Sequence, residues 1–363
     1  MNAIAPQVAQ VAQVEDVVEI GDPLTHSTLL LDFLQQAGIT ERLLQPSTTE
    51  VIINRPGEIW TYSADHPFGL QESAPWLTLG LCRKVANALA AFNQQVLNVQ
   101  NPIHTLKFPE TFPEGVRAQV VVSPACEKDT VAMCVRMPSE TRFSLEDYIH
   151  SGRLADVKAV SKARVELFPW EKQLEKAHQA HDWMTFFRLA VLNKLNIIIF
   201  GGPGSGKTTL GKALVDMFPH DRRMITVESV NEMVLPHHPN RVHLTYGQHV
   251  TPKQLVASTM RMKPDHLFLA ELTGDEAWHY MEILNTGVPG TVTTAHANDT
   301  VSGYARVCGL VKQSEVGKGL DYAYIDRLVR SSFDVVIYME HTYVKEVHYD
   351  PAYKLSLINQ LVA

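Results

Sequence analysis

The sequence predicts an α/β protein of two domains, a smaller α+β domain followed by a larger one built on a mostly parallel sheet. The chain has 363 residues, 45% of them hydrophobic and 20% charged, which is enough for more than one core. From about residue 176 onward, apolar runs of strand type alternate with helical stretches, a pattern typical of a parallel sheet covered by helices on both faces. Before residue 138, helix and strand patterns are mixed without that alternation.

The N-terminal part begins with an arm, residues 1–22, which is rich in Ala, Val and Gln and is predicted to be flexible. The α+β domain is predicted over residues 23–137. A helical pattern starts at Thr25, with Ser27 and Thr28 as capping candidates, and ends at Gly38. The other predicted elements are a hairpin of Val51–Asn54 and Glu58–Tyr62, a helix over Pro75–Val96, and two antiparallel strands, Val116–Val122 and Val131–Met137.

A linker is predicted over residues 138–175, because this stretch is charged and is interrupted by Pro138, Gly152 and Pro169. The larger domain then occupies residues 176–363. Its predicted strands are Asn196–Phe200, Met224–Glu228, His266–Ala270, Gly290–Thr294 and Phe333–Met339.

A glycine-rich string between the first of these strands and a helix start predicts a phosphate-binding loop. Gly201 is followed after four residues by Gly206-Lys207-Thr208, which matches G-x-x-x-x-G-K-[ST] in its required strand-to-helix setting. Glycines let the backbone wrap closely around phosphate oxygens, and the helix N-terminus adds positive potential. The predicted nucleotide-binding residues are Gly201, Gly202, Pro203, Gly204, Ser205, Gly206, Lys207, Thr208 and Thr209.

Two side chains of this loop have separate predicted roles. Lys207 supplies an ammonium for the β and γ phosphates, and the Thr208 hydroxyl is placed to ligate Mg²⁺. A guanine nucleotide would call for an Asn-Lys-x-Asp string after the loop, and the similar string at 193–196 precedes the loop and ends in Asn. A nucleoside triphosphatase other than a regulatory GTPase is therefore predicted.

Carboxylates at strand ends are the next candidates, because ligands of open α/β sheets lie beyond the carboxyl ends of the strands. Glu271 follows the strand that ends at Ala270 and is predicted as the carboxylate on the metal side. Glu228 closes its strand, and Glu232 lies four residues further on. Either of these two could orient or deprotonate the attacking water, and an N-cap or a turn ion pair is the alternative role for each.

His296 follows the strand in "PGTVTTAHAND", at the same predicted edge of the sheet. An isolated histidine is more often structural than catalytic, but this setting favours a residue that senses the γ phosphate or couples it to the sheet. No second His or Cys has the spacing of a metal site.

Charge and cysteine usage narrow the class of partner. With 32 basic and 39 acidic residues, the net charge of -7 predicts no strong general binding to nucleic acid or anionic lipid. The four cysteines are too few for a disulfide framework, and we expect free thiols in a reducing cytoplasm. The first twenty residues carry acidic but no basic residues, which argues against a signal peptide.

Several strings, in order, resemble the secretion or traffic ATPases and, within them, the VirB-eleven type ATPases of bacterial type IV secretion systems. They are "EVIINRPGEIWTY", "FPEGVRAQVVVSPA", "VRMPS", the phosphate loop, "ITVESVNEM" as the Asp box, "RMKPDHLFLAEL" as Walker B and "NTGVPGTVTTAHAN" as the His box. The resemblance implies a RecA-like P-loop domain, an N-terminal domain that caps the nucleotide, and a homohexameric ring. It also implies Mg-dependent ATP hydrolysis that energises pilus assembly or substrate transfer.

The resemblance further implies partners and residue roles. Other secretion ATPases and inner-membrane secretion components become the expected partners, and the expected place is the cytoplasmic side of the inner membrane. Glu232 becomes the expected catalytic glutamate, with Glu228 in support. Arg117 and Arg136, which the strand pattern alone would leave as solvated residues, become the pair that reaches the terminal phosphate across the domain cleft.

Three positions depart from the family pattern. Ser229 follows Glu228 where Asp is usual, and Ala270 and Thr273 stand where Walker B usually carries Gly and Arg. The Ser229 and Thr273 departures keep a second hypothesis open, a nucleotide-regulated docking module with weak hydrolysis. A ring translocase that grips DNA is a third hypothesis, which the acidic balance disfavours.

Overall fold

The computed structural model describes residues 23–138, 142–157, 164–285 and 287–362. The predicted arm, residues 1–22, lies outside these ranges. None of the helices in the described ranges combines the length and the apolar character needed to span a bilayer.

The N-terminal part is an antiparallel sheet of six strands with helices on one face. Its strand order is β3-β2-β1-β6-β5-β4, and every neighbouring pair is antiparallel. Helices α1 and α3 pack on the sheet through a core that includes Leu34, Val85 and Val120. The elements are α1 (Pro23–Gln36), α2 (Ile39–Leu43), β1 (Thr48–Ile53), β2 (Gly57–Ser63), β3 (Leu70–Ala74), α3 (Leu79–Phe92), β4 (Ile103–Lys107), β5 (Arg117–Val122) and β6 (Val131–Arg136).

Between the two sheets, the predicted linker region contains the short helix α4 (Leu145–His150) and the first residues of α5 (Pro169–Gln179). Helix α4 buries none of its side chains. Helix α5 starts with a proline, whose fixed φ suits a first helical position, and it contributes Leu174 to the core of the following domain.

The C-terminal part is a seven-stranded sheet covered on both faces, as an α/β fold requires. Its order is β13-β12-β7-β11-β10-β8-β9, with β13 antiparallel to β12 and all other neighbours parallel. The elements that follow α5 are α6 (Trp183–Leu192), β7 (Ile197–Gly201), α7 (Lys207–Val215), β8 (Met224–Glu228), β9 (Arg241–Thr245), α8 (Pro252–Thr259), β10 (His266–Leu269), α9 (Glu276–Leu284), β11 (Val292–Ala295), α10 (Thr300–Gln313), α11 (Tyr322–Ser332), β12 (Val335–Glu340), β13 (Tyr343–His348) and α12 (Pro351–Val362).

The predicted α/β fold class is therefore confirmed, and all five strands predicted for the larger domain are present. Strands β7 and β8 are buried along their whole length, which explains why they read as continuous apolar runs. Four strands were not predicted: β3, β4, β9 and β13.

The second face of the antiparallel sheet packs against the C-terminal sheet near β9. Cys126 forms an antiparallel bridge with Leu244, and the Thr245 amide donates to the Ala125 carbonyl at 2.9 Å. Val121 and Cys126 belong to the same apolar core as Leu244. The N-terminal domain thus covers the edge strand β9 and protects its backbone from pairing with another chain.

A buried polar cluster also joins the two domains. The Arg223 guanidinium, 1% exposed, donates to Asn54 Oδ1 at 2.5 Å and to Asn240 Oδ1 at 2.7 Å. Asn240 in turn donates to the Tyr62 hydroxyl at 2.7 Å. Because a buried guanidinium is costly unless its donors are satisfied, this cluster defines the relative position of the two sheets.

Candidate nucleotide site

The phosphate loop lies where its sequence predicts, between β7 and α7. Gly204 and Gly206 have φ values of 70° and 88°, in the left-handed region that a side chain disfavours. Gly206 is the residue before the first helical residue, Lys207, so the N-terminal amides of α7 face the loop. Pro203 and Thr209 are exposed, and Thr208 is half-buried in the first turn.

The Lys207 ammonium is held inside this loop. It donates to the carbonyls of Gly201 and Gly202, both at 2.9 Å, and only 9% of the residue is exposed. Burial lowers the pKa of Lys207, and the nearby Glu271 carboxylate opposes that shift. A phosphate at the loop would offer this ammonium negatively charged acceptors in place of two neutral carbonyls.

A second group meets the loop from the neighbouring strands. His296, just after β11, places Nε2 2.8 Å from Glu271 Oε1 and Nδ1 3.0 Å from the Gly201 carbonyl oxygen. The same Nδ1 lies 3.5 Å from the Lys207 ammonium. Groups from three separate parts of the chain are therefore in continuous contact, from Glu271 through His296 to the Gly201 carbonyl and Lys207.

Glu228 and Glu232 lie beyond β8 in different environments. The Glu228 carboxylate is 2% exposed and accepts the Glu232 amide at 3.0 Å and the Met233 amide at 3.1 and 3.2 Å. Burial raises the pKa of Glu228, and the two backbone amides act in the opposite direction. Glu232 is exposed. Glu228 therefore shapes the turn that presents Glu232.

Glu276 is a site-adjacent residue that the sequence patterns did not single out. It is 2% exposed, and its Oε1 accepts the amides of Thr273 at 2.7 Å and Gly274 at 2.9 Å. These amides lie two and three residues after Glu271, so Glu276 holds the turn next to the predicted metal-side carboxylate. A buried carboxylate seven residues after the end of β10 has no distinguishing sequence signature.

The residues predicted for Mg²⁺ fit that ion in their chemistry. Magnesium prefers oxygen ligands and keeps several waters, so one hydroxyl and one carboxylate beside nucleotide phosphates are sufficient. Glu271 lies beside His296, and Thr208 follows Lys207 in the first turn of α7. The described residues contain no group of three or more His, Cys, Asp or Glu side chains that could hold a metal ion.

Arg117 and Arg136 are not brought to this loop. They are directly paired at the exposed ends of β5 and β6, and they line a cavity of about 160 Å³ together with Arg261 and Lys263. Lys263 lies three residues before the first residue of β10, whereas the phosphate loop follows the end of β7. Because β7 and β10 are parallel, the arginine pair lies near the amino ends of these strands, whereas the phosphate loop of the same chain lies at their carboxyl ends.

Comparison with known proteins places this site in a family. Residues 154–346 match the family model described as type II/IV secretion system protein. The chain is 36% identical to the type IV secretion system protein VirB11 of Brucella suis over 86% of its length and 88% of the relative's. It is 33% identical to the VirB11 protein of Bartonella quintana over 90% of its length and 95% of the relative's.

The chain belongs to the VirB11 family of type IV secretion ATPases. The crystal structure of the VirB11 ATPase from the Brucella suis type IV secretion system, in complex with sulphate, has the same fold, with a TM-score of 0.85 and 36% identity. That match covers 93% of this chain and 98% of the other. The resemblance drawn from the sequence motifs is thereby confirmed, and so are nucleotide binding and membership of a secretion ATPase family.

Proposed function

We propose that this VirB11-family protein is a homohexameric motor of a type IV secretion or conjugation system, which hydrolyses ATP to energise pilus assembly or substrate transfer. The observation that carries the proposal is the unbroken contact from Lys207 through His296 to Glu271. Through this contact, a change at the phosphates bound by Lys207 can be transmitted to His296 and Glu271, which follow strands β11 and β10.

The phosphate loop and the groups beside it have separate proposed roles in phosphoryl transfer. Backbone amides at the start of α7 cradle the phosphate oxygens, and Lys207 leaves its carbonyl partners to bind the β and γ phosphates. Thr208 and Glu271 would hold Mg²⁺, which neutralises charge on the phosphates when it is bound. His296, in contact with Glu271 and the Gly201 carbonyl, couples the terminal phosphate to the sheet.

Glu232 is the proposed base. Its exposed carboxylate accepts a proton from the attacking water, while the buried Glu228 holds the backbone of the turn in place. Arg117 and Arg136 are proposed to stabilise the terminal phosphate during transfer. Because they lie near the amino ends of the C-terminal parallel strands, away from the phosphate loop of their own chain, they would act on the nucleotide of a neighbouring copy in the ring.

The docking module with weak hydrolysis is the second candidate. It is favoured by Thr273, a neutral residue where Walker B usually carries Arg, whose amide and hydroxyl lie 2.7 and 3.4 Å from Glu276 Oε1. For either candidate, we propose a location at the cytoplasmic side of the inner membrane, with other secretion ATPases and inner-membrane secretion components as partners.

Steady-state hydrolysis tests the motor. We expect the purified protein with Mg-ATP to turn over at least a hundredfold faster than its Lys207→Ala variant, while Lys172→Ala, which removes an exposed lysine of the same domain, keeps full activity. Mass measurement with an ATP analogue should give six chains. Binding of ATP without turnover above the Lys207→Ala level, with partner proteins present, would favour the docking module instead.

A further inference from the structure

The turn between β12 and β13 rests against the phosphate loop. It is built by His341 and Thr342, two non-glycine residues with φ values of 48° and 69°. A Cβ added to Gly206 would lie 3.5 Å from Thr342 Cα and 3.3 Å from the Met339 Cε. The hairpin tip, defined here as His341–Tyr343, is thus in van der Waals reach of the loop that holds the phosphates.

The order of strands determines the direction in which a nucleotide lies on this loop. Glu271, His296 and Glu228 follow β10, β11 and β8, all on one side of β7 in the sheet. The terminal phosphate must point towards these groups for hydrolysis. The nucleoside at the other end of the phosphate chain therefore lies on the opposite side of β7, where the sheet, as far as the structure describes it, consists of β12 and β13.

The hairpin tip carries aromatic side chains on which a nucleobase can stack. His341 and Tyr343 are exposed aromatic rings, and Tyr343 is 67% exposed. The Lys345 ammonium lies 5.5 Å from the centroid of the Tyr343 ring and adds a cation–π contact. An exposed tyrosine is not needed for the core, but a flat ring at the edge of a nucleotide site offers a stacking surface to a base.

We propose that the hairpin tip is the nucleoside-side wall of the site, where the rings of His341 and Tyr343 contact the base of the bound nucleotide. This inference rests on the proposed nucleotide-hydrolysing function and adds how the protein distinguishes ATP from phosphate chains without a base. Stacking on one ring is worth a factor of about 5 to 150 in affinity.

Binding of ATP and of inorganic tripolyphosphate separates the base from the phosphates. We expect Tyr343→Ala to weaken ATP binding about tenfold and to leave tripolyphosphate binding unchanged, whereas Tyr343→Phe binds both like the wild type. His341→Asn removes the other ring but suits a positive φ, and it should give a similar selective loss. Tyr353→Ala, which removes an exposed ring from α12, is the control and should change neither affinity.

Other outcomes overturn the inference. Unchanged ATP affinity in both Tyr343→Ala and His341→Asn would mean that the base lies elsewhere, for instance against the N-terminal domain. Equal weakening of ATP and tripolyphosphate would mean that the tip only supports the phosphate loop. If the wild type binds neither ligand, the proposed function itself fails, which is a different result from a site that binds both but ignores the tip.

Discussion

Glu228 and Glu232 follow the same strand four residues apart, and their surroundings give them different uses. The Glu228 carboxylate is buried, and its oxygens accept hydrogen bonds from two backbone amides. Burial disfavours the charged form and raises the pKa of Glu228. Glu232 faces solvent at the same edge of the sheet. Two carboxylates in contrasting environments commonly divide a positioning role from a proton-transfer role.

Glu232→Gln should therefore abolish most hydrolysis without weakening the fold. We expect single-turnover hydrolysis to fall about 10²- to 10⁴-fold, because an amide cannot accept the proton of the attacking water, while ATP affinity and the melting temperature stay unchanged.

Glu228→Gln serves as the matched comparison. Its amide nitrogen cannot accept a backbone N–H, so one oxygen must serve the amides of Glu232 and Met233. We expect a loss of about 1–3 kcal/mol of stability in thermal or denaturant unfolding, with reduced hydrolysis as a consequence. A Glu232→Gln enzyme that retained wild-type single-turnover rates would assign the base to another group.

At this scale the sequence predicted candidate groups that the structure brings together, Glu271, His296 and the phosphate loop, but not how each group is held, and their roles stay predictions. Position at a strand end was sufficient to select Glu228, Glu271 and His296, because parallel strands bring their carboxyl ends to one edge. The family resemblance already favoured Glu232 over Glu228 as the base, and the structure adds the burial and the backbone hydrogen bonds on which the proposed division between them rests. Glu276 was missed because its role depends on two amides that it caps, and local patterning does not distinguish that from a surface glutamate.

Among the elements, helix α10 and strand β7 show how closely the core approaches the nucleotide loop. Gly303 lies where a Cβ would overlap the ring of Phe200, the residue before Gly201. Absence of a side chain at Gly303 therefore allows α10 to pack directly on the strand that leads into the phosphate loop.

Gly303→Ala should destabilise the protein by about 1–3 kcal/mol, because the added methyl group forces the Phe200 ring or the helix to move. The same displacement should weaken ATP binding, since Phe200 is joined directly to Gly201.

Gly309→Ala, on the same helix with nothing within 4 Å of its added Cβ, is the control. It should stabilise the protein by about 0.5–1 kcal/mol, because alanine loses less conformational freedom in a helix. Denaturant unfolding with an ATP titration measures both effects, and equal behaviour of the two variants would contradict the packing argument.

Helices and strands with one buried face, and strands buried on both faces, could mostly be predicted from the sequence. The strands described next could not. Strand β13 was missed because five of its six residues are exposed, which leaves no apolar pattern. Strand β3 has a single buried residue, Ala74, and was missed for the same reason. Strand β9 has an apolar centre of only three buried residues, of which one is His243. Its burial depends on the N-terminal domain, which no local pattern reports.

At the scale of the whole molecule, the arrangement of the two domains was the feature least accessible to sequence reasoning. It depends on contacts between residues more than a hundred positions apart, such as Gln119 with Ser258 at 2.9 Å and Lys263 with Glu50 at 2.7 Å. Arg223 is buried at this interface although a charged residue usually lies at the surface. The motifs predicted candidate functional residues in each domain but not which part of the C-terminal sheet the N-terminal domain covers.

This arrangement leads to the last prediction, which concerns the arginine pair. Arg117 lies near the amino ends of the parallel strands, away from the phosphate loop of its own chain, so we expect its guanidinium to act on the nucleotide of another copy of the chain. Arg117→Ala and Lys207→Ala should each be nearly inactive alone, the first without its cationic contact and the second without its phosphate ligand. Mixed assemblies of the two variants should recover part of the activity, because a Lys207→Ala chain can supply Arg117 to the intact loop of its neighbour. Hydrolysis measured across mixing ratios, after exchange of subunits has been verified by mass, should rise above both pure variants and peak at intermediate ratios. A flat, inactive profile would place Arg117 and Lys207 in the same copy or remove Arg117 from the reaction, and wild-type activity of Arg117→Ala alone would do the latter directly.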